Sequence, residues 1–155
     1  HAVDLMLWFA GPARSVAGTI ATQTHRIEAE DLALGIVTFE SGAFGTVMAS
    51  TSIQPGFQPC LNLYGEKGTI KLEGAAIANW TVPDVPKPDI RAVASAGVND
   101  PKLANCEPHR RQILDLLAAI EEQRPPLVTG RDGSRAVRLI EGLYESASKG
   151  APVKV

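Results

Sequence analysis

The feature that most constrains the fold is a run of short apolar segments, from residue 32 to residue 73, that are separated by glycine-bearing turns. Glu40-Ser-Gly-Ala43 and Gly65-Glu-Lys-Gly68 each leave only a few residues between consecutive segments, which is the spacing of β-hairpins. A parallel connection needs a crossover of about a dozen residues or more, so it does not fit here. The pattern therefore predicts an antiparallel meander.

Both faces of this predicted sheet are apolar, which is unusual for an antiparallel sheet. Along the strand that precedes Glu40, one alternating set of positions holds Leu32, Leu34 and Ile36. The opposite face is rich in small and apolar residues, namely Ala33, Val37, Phe39, Val47 and Ala49. Two explanations of that second face stay open. It packs within the chain, in a sandwich or under the chain's own helices, or it packs on the sheet of another subunit.

Two amphipathic helices are predicted near the end of the chain, at residues 109–123 and 132–149. The first carries apolar residues at helical spacing, namely Ile113, Leu116, Leu117 and Ile120. Gly150 ends the second helix, and residues 153–155 form a last edge strand. Prolines make residues 81–108 a long irregular segment. We therefore expect one α+β domain over residues 1–155, a large, mostly antiparallel open sheet with helices on one face and the other face available for subunit packing.

The composition excludes several functional classes. A net charge of −2 and scattered basic residues do not form a nucleic-acid footprint. Cys60 and Cys106 lack the spacing of a zinc site and are too few for a disulfide framework. No apolar stretch has the roughly 20 residues of a membrane span. We therefore expect a cytoplasmic protein that binds no metal, membrane or nucleic acid.

The first ten residues predict a helix that stops at Gly11-Pro12. Helical spacing places His1, Asp4 and Trp8 on one face, so an imidazole and a carboxylate project side by side. Imidazole changes its charge near neutral pH, which suits proton transfer. Because the chain opens inside a helix without an initiator Met, we expect it to be the C-terminal part of a larger enzyme.

Several motifs resemble the C-terminal domain of the glucose–fructose oxidoreductase, inositol dehydrogenase and rhizopine-catabolism (Gfo/Idh/MocA) family. They occur in the family's order, at similar spacing, across nearly the whole chain. The motifs are His1-Ala-Val-Asp4, Glu28-Ala-Glu30-Asp31 at a strand start, Phe39-Glu-Ser-Gly42-Ala-Phe-Gly45, Tyr64-Gly-Glu-Lys-Gly68 and Tyr144-Glu-Ser146.

The resemblance implies a preceding Rossmann domain with a glycine-rich phosphate turn and a catalytic lysine, neither of which lies in these residues. The full-length protein is then an NAD- or NADP-dependent oxidoreductase that moves hydride between a sugar, cyclitol or related polyol and the nicotinamide. We expect this fragment alone to bind no cofactor and to be inactive. We also expect a homodimer or homotetramer formed through the sheet.

The same resemblance assigns His1 to proton transfer at the reacting hydroxyl and Asp4 to neighbouring substrate hydroxyls. Phe57 and Gln58 are expected to line the sugar pocket, and His109 to reach into the interdomain cleft.

Structural interpretations of the same residues stay open. His1 is alternatively a frayed terminal residue, and Asp4 a first-turn carboxylate that favours the helix dipole. The chain is alternatively a non-catalytic binding or oligomerisation module with the same scaffold, and a stand-alone lyase is a weaker rival. We interpret two groups as structural: polar residues at strand ends (His25, Glu28, Glu30 and Asp31) and aromatic core residues (Trp8, Trp80 and Tyr144).

Overall fold

A computed structural model describes residues 1–74, 76–89 and 106–155. The chain divides into two compact units, which we describe separately. The first comprises His1, Val3–Gly56 and Val128–Val155, and the second comprises Ala2 and Phe57–Leu127.

The first unit is built on a four-stranded antiparallel sheet in the order β3-β2-β1-β7. Its strands are β1 (Ala13–Ala21), β2 (Leu32–Phe39), β3 (Phe44–Ser50) and β7 (Val153–Lys154). Helices α1 (Ala2–Ala10) and α3 (Gly130–Lys149) belong with this sheet. The turn between β2 and β3 places Gly42 at φ 87°, a left-handed conformation that favours glycine. The predicted hairpin at residues 40–43 is confirmed.

Helix α3 packs closely on the sheet because two strands lack side chains where it crosses them. Gly18 of β1 lies directly opposite Gly35 of β2. A Cβ atom at either position would overlap the side chain of Leu143, which is itself buried. The face of β2 that carries Val37 and Phe39 is thus covered by the chain's own helices, and both residues are at most 1% exposed. Of the two explanations left open by the sequence, packing within the chain is correct for these residues.

The exposed face of the sheet carries the other alternating set. Leu34 pairs with Met48, and Thr38 pairs with Phe44, across β2 and β3. Phe44 is 76% exposed and Met48 is 72% exposed. Large apolar side chains therefore project outward from this face, and the Val37 and Phe39 face, a candidate subunit surface by its sequence pattern, is the buried one.

The second unit contains a three-stranded antiparallel sheet in the order β4-β5-β6. Its strands are β4 (Cys60–Gly65), β5 (Gly68–Glu73) and β6 (Ala76–Thr81). Gly65 pairs with Gly68, so Glu66 and Lys67 form the two-residue turn that the sequence predicts. Helix α2 (Glu107–Glu121) completes this unit.

The α+β prediction is confirmed, with the strands divided between two sheets. Both late helices start two residues earlier than predicted, α3 because Thr129 and Asp132 form a capping box. Residues 22–31 form no strand, so Glu28-Ala-Glu30-Asp31 precedes β2 and is not part of it. The predicted irregular segment at 81–108 lies partly outside the described residues.

Candidate functional site

Helix α1 presents the two residues with the strongest sequence case, His1 and Asp4. His1 occupies the N-cap, and its carbonyl accepts a hydrogen bond from the Leu5 N–H at 2.9 Å. The His1 side chain makes no capping bond, so its ring is free of that role. Asp4 lies in the first turn, where a carboxylate is favoured by the helix dipole. Both residues are exposed, one helical turn apart.

Buried side chains anchor α1 to the rest of the first unit. They are Met6, which lies roughly half a turn around the helix from Asp4, and Leu7, which follows Asp4 by three residues and borders its face. Trp8 lies on the His1 face and is 75% exposed, so its assignment to the core is wrong. Its ring packs edge-to-face against Phe9, with centroids 4.7 Å apart. Buried side chains thus hold the helix in place, while His1, Asp4 and Trp8 are exposed.

The end of α1 is fastened to the β2–β3 hairpin. The Gly11 N–H donates to the Leu7 carbonyl at 2.9 Å, and Gly11 adopts φ 86°. The Ser41 hydroxyl donates to the Ala10 carbonyl at 3.3 Å, and the Glu40 N–H donates to the Pro12 carbonyl at 2.9 Å. These bonds set the position of the helix that carries His1.

The loop before β2 is organised by Asp31, whose side chain is buried. Oδ1 accepts the Gln23 N–H at 2.8 Å, and Oδ2 accepts the N–H groups of Thr24 at 2.7 Å and His25 at 2.9 Å. These backbone donors, those of Gln23 and His25 foremost, hold the pKa of Asp31 far below its ordinary value, and burial opposes them only in part. The interpretation of Asp31 as a structural polar group is thereby supported.

His25 lies beside the same carboxylate but does not form a catalytic triad. Its Nδ1 is 3.3 Å from Asp31 Oδ2 and 3.4 Å from Ser52 Oγ. A triad needs the carboxylate and the hydroxyl on different ring nitrogens, whereas here both face Nδ1. The arrangement closes the loop and does not activate Ser52.

Two further motif residues also connect structural elements. The Tyr144 hydroxyl donates to Glu30 Oε1 at 2.6 Å, which raises the pKa of Tyr144 and lowers the pKa of Glu30. Buried Ser146 accepts the Gly18 N–H at 3.1 Å and donates to the Ala151 carbonyl at 2.8 Å. Tyr144 is 41% exposed, so it is not a core residue, and Trp80 is only half-buried.

The remaining predicted site residues belong to the second unit. Phe57 and Gln58 lie in the irregular segment before β4, and Phe57 is 82% exposed. His109 is the third residue of α2 and is exposed. Their roles in substrate binding stay predictions.

The described residues do not provide a cradle for the phosphates of a dinucleotide. Such a cradle uses free N–H groups at a helix N-terminus after a glycine-rich turn. Each of the three helices instead has a carboxylate in its first turn, namely Asp4, Glu107 and Asp132. Gly65 and Gly68 face each other in a β-hairpin. A pyrophosphate would therefore meet negative charge at every one of these helix starts.

Metal sites, membrane-spanning helices and cavities are the other features of the described residues that bear on function. Within residues 1–74, 76–89 and 106–155, no group of three or more His, Cys, Asp or Glu side chains is placed to hold a metal ion. No helix in that part of the chain has the length and apolar character for a membrane crossing. The sequence did not predict one small cavity of about 180 Å³. It is lined by Leu7, Pro12, Ala13, Glu40, Arg135, Arg138 and Val155.

Known structures with the same fold are oxidoreductases. The WlbA dehydrogenase of Bordetella pertussis, solved with NADH and UDP-GlcNAcA, is 25% identical, with a TM-score of 0.79 over 100% of this chain and 42% of its own. WlbA of Chromobacterium violaceum, with the same ligands, is 25% identical, with a TM-score of 0.78 over 99% of this chain and 43% of its own. An oxidoreductase from Agrobacterium radiobacter, solved with NAD+, L-tartaric acid and magnesium, shares the fold at 20% identity, with a TM-score of 0.75 over 98% of this chain and 46% of its own.

This chain thus spans less than half the length of these solved relatives. No curated protein sequence matches it. The model of the oxidoreductase family C-terminal alpha/beta domain matches residues 1–155. The family resemblance found in the motifs is confirmed, and the chain belongs to the Gfo/Idh/MocA oxidoreductase family as its C-terminal α/β domain.

Proposed function

We propose that the full-length protein is an NAD(P)-dependent oxidoreductase acting on a sugar, cyclitol or related polyol. Residues 1–155 are proposed to form its substrate-binding domain. The observation that carries the proposal is the free face of α1. His1 and Asp4 are exposed on a helix that is anchored by its buried residues Met6 and Leu7. A helix anchored in this way holds an acid–base group in a fixed position.

His1 is proposed to exchange the proton of the reacting hydroxyl. In such reactions a bound nicotinamide supplies or takes up hydride at the neighbouring carbon. An imidazole with no capping bond has a ring nitrogen available for the hydroxyl proton. Asp4 accepts hydrogen bonds from adjacent hydroxyls, which fixes the orientation of a polyol. Phe57, Gln58 and His109 are proposed as further substrate contacts.

The nucleotide is proposed to bind to a separate Rossmann domain of the full-length protein. Acidic side chains at the helix starts of this chain leave no phosphate cradle among the described residues. The two WlbA relatives, whose structures contain NADH, are more than twice as long as the part that matches this chain. Their ligand UDP-GlcNAcA supports a sugar as the substrate class.

We further propose that the exposed sheet face mediates a homodimer or homotetramer. This face is defined by Leu34, Ile36, Phe44 and Met48, each between 39% and 76% exposed. An exposed face that carries several large apolar side chains is typical of a protein interface.

A cytoplasmic location is also proposed. The two free thiols, Cys60 and Cys106, are exposed, which agrees with a reducing compartment.

The proposed role of His1 is tested by turnover of the full-length enzyme with polyols, keto-sugars and nucleotide sugars. We expect His1→Ala to lower kcat by about 10²- to 10⁴-fold, the usual contribution of a positioned acid–base group. His25→Ala is the matched control, because His25 is an exposed histidine outside the proposed site. Near wild-type kcat in His1→Ala, on a substrate that the enzyme turns over, would contradict the assignment.

A further inference from the structure

Helix α2 carries an apolar face that nothing in the described residues covers. The α2 stripe, as we call it, consists of Ile113, Leu116, Leu117 and Ile120, which are 59%, 50%, 52% and 66% exposed. Ala119 is the single buried residue of the helix. An amphipathic helix gains most of its stability by packing such a stripe, so an occupant is expected.

We infer that the α2 stripe is the docking surface for the nucleotide-binding domain of the same polypeptide. This inference rests on the proposed function, because it takes that domain to be present in the full-length protein. The WlbA relatives contain more chain outside the matched region than within it. A domain of the same polypeptide is therefore available as the partner without any intermolecular association.

The small size of the stripe favours a tethered partner over a free one. Stable complexes between separate proteins bury about 800 Å² on each partner. Four aliphatic side chains on a helix of four turns provide only a fraction of that area. A tethered domain needs less contact, because the linkage raises its effective concentration.

The charges around the stripe favour an uncharged apolar partner. Glu107 binds Arg111 at 2.9 Å, and Arg124 binds both Asp115 at 3.0 Å and Glu122 at 2.6 Å. Glu107 also faces Arg110 at 3.6 Å, so most of these charges are balanced within the unit. The partner surface is therefore expected to be aliphatic and neutral.

The α2 stripe is continued by His109, which is proposed above as a substrate contact. His109 lies four residues before Ile113, so it extends the stripe at its N-terminal end. A nucleotide domain seated on the stripe would lie next to His109. This is the placement that a role of His109 in the interdomain cleft requires.

Hydrogen exchange of the full-length protein tests the inference. We expect slow exchange of the α2 amides in the wild type and exchange about tenfold or more faster in Leu117→Glu, because a buried charge opposes docking. Leu127→Glu is the matched control: the same substitution in the same unit, at a side chain that is 83% exposed, and its α2 exchange should equal that of the wild type. If Leu117→Glu does not fold, Leu117→Ala is used instead and should give a smaller increase in the exchange rate of the α2 amides.

Three outcomes would overturn the inference. These are fast α2 exchange in the wild type, equal increases in Leu117→Glu and Leu127→Glu, and a loss of subunit association in Leu117→Glu, which would assign the stripe to a second copy. The His1→Ala enzyme separates the two proposals. If it retains activity while α2 stays protected, the catalytic assignment fails and the docking surface stands.

Discussion

The two units differ in how much of their apolar surface is inside. The first unit buries seven large apolar side chains, contributed by α1, the sheet and α3: Met6, Leu7, Val16, Val37, Phe39, Leu139 and Leu143. In the described part of the second unit, Ala119 is the only buried residue. One region thus has a core of its own, and the other has an apolar helix face without one. The comparison teaches that an amphipathic pattern in a sequence identifies a contact surface but not its partner.

The largest expected effect is the loss of a core side chain from the first unit. Leu143→Ala should lower the free energy of unfolding of the 155-residue chain by about 2–5 kcal/mol, because it empties the space over Gly18 and Gly35. Denaturant unfolding measures this loss. A loss below about 1 kcal/mol would mean that the site closes up or that the core is not formed.

The second-largest loss of stability is expected from removing a buried hydrogen-bonding side chain. Ser146→Ala leaves the Gly18 N–H without its 3.1 Å acceptor and removes the bond to the Ala151 carbonyl. We expect a loss of about 1–3 kcal/mol in the same unfolding experiment, the cost of leaving a buried group unsatisfied. Ser134→Ala is the control, since Ser134 is an exposed serine of the same helix. Equal losses in the two variants would refute the proposed role of Ser146.

Acid should weaken the first unit through Asp31. Because the folded state lowers the pKa of this carboxyl, its stabilising contribution is complete above the unfolded value of about 3.9 and declines as the pH falls below it. Asp31→Asn should therefore reduce stability at neutral pH and flatten its decline in acid. Unfolding midpoints measured from pH 7 to pH 2 test this, with Glu28→Gln, at an exposed carboxylate of the same loop, as the control. An unchanged acid dependence in Asp31→Asn would contradict the prediction.

The smallest effect is expected in the second unit. Leu116→Ala is the same substitution as Leu143→Ala, but Leu116 is 50% exposed. In the 155-residue chain it should cost about 1 kcal/mol or less, since only part of the side chain leaves water on folding. In the full-length protein the loss should increase if the α2 stripe is covered. Equal losses in the 155-residue chain and in the full-length protein would contradict the inference that the α2 stripe is covered.

Most helices and strands could be predicted from local patterns. Hairpin turns were recognisable from Gly42, Gly65 and Gly68, because short glycine-bearing spacings favour few alternatives. The stripe of α3 and the Gly150 end were equally clear. The assignment of Trp8 and Tyr144 to the core was wrong, because an aromatic residue at helical spacing shows a face and not whether that face is covered. The cavity beside Arg135 and Arg138 had no comparable signal, since it is formed by residues distant in the sequence.

The candidate site was partly readable from the sequence. His1 and Asp4 are close in the chain, and a helix fixes their relation by its periodicity alone. Phe57, Gln58 and His109 are distant from them in sequence, and no local rule determines which contacts they make.

The sequence by itself determined the α+β class, the antiparallel hairpins and the helical face shared by His1 and Asp4, because each follows from spacing between near neighbours. Only the tertiary structure decided which face of β2 is buried. Both faces are apolar, so a period of two does not distinguish them. The choice follows from packing, since Leu143 fits over Gly18 and Gly35 and thereby leaves Leu34 and Ile36 outside.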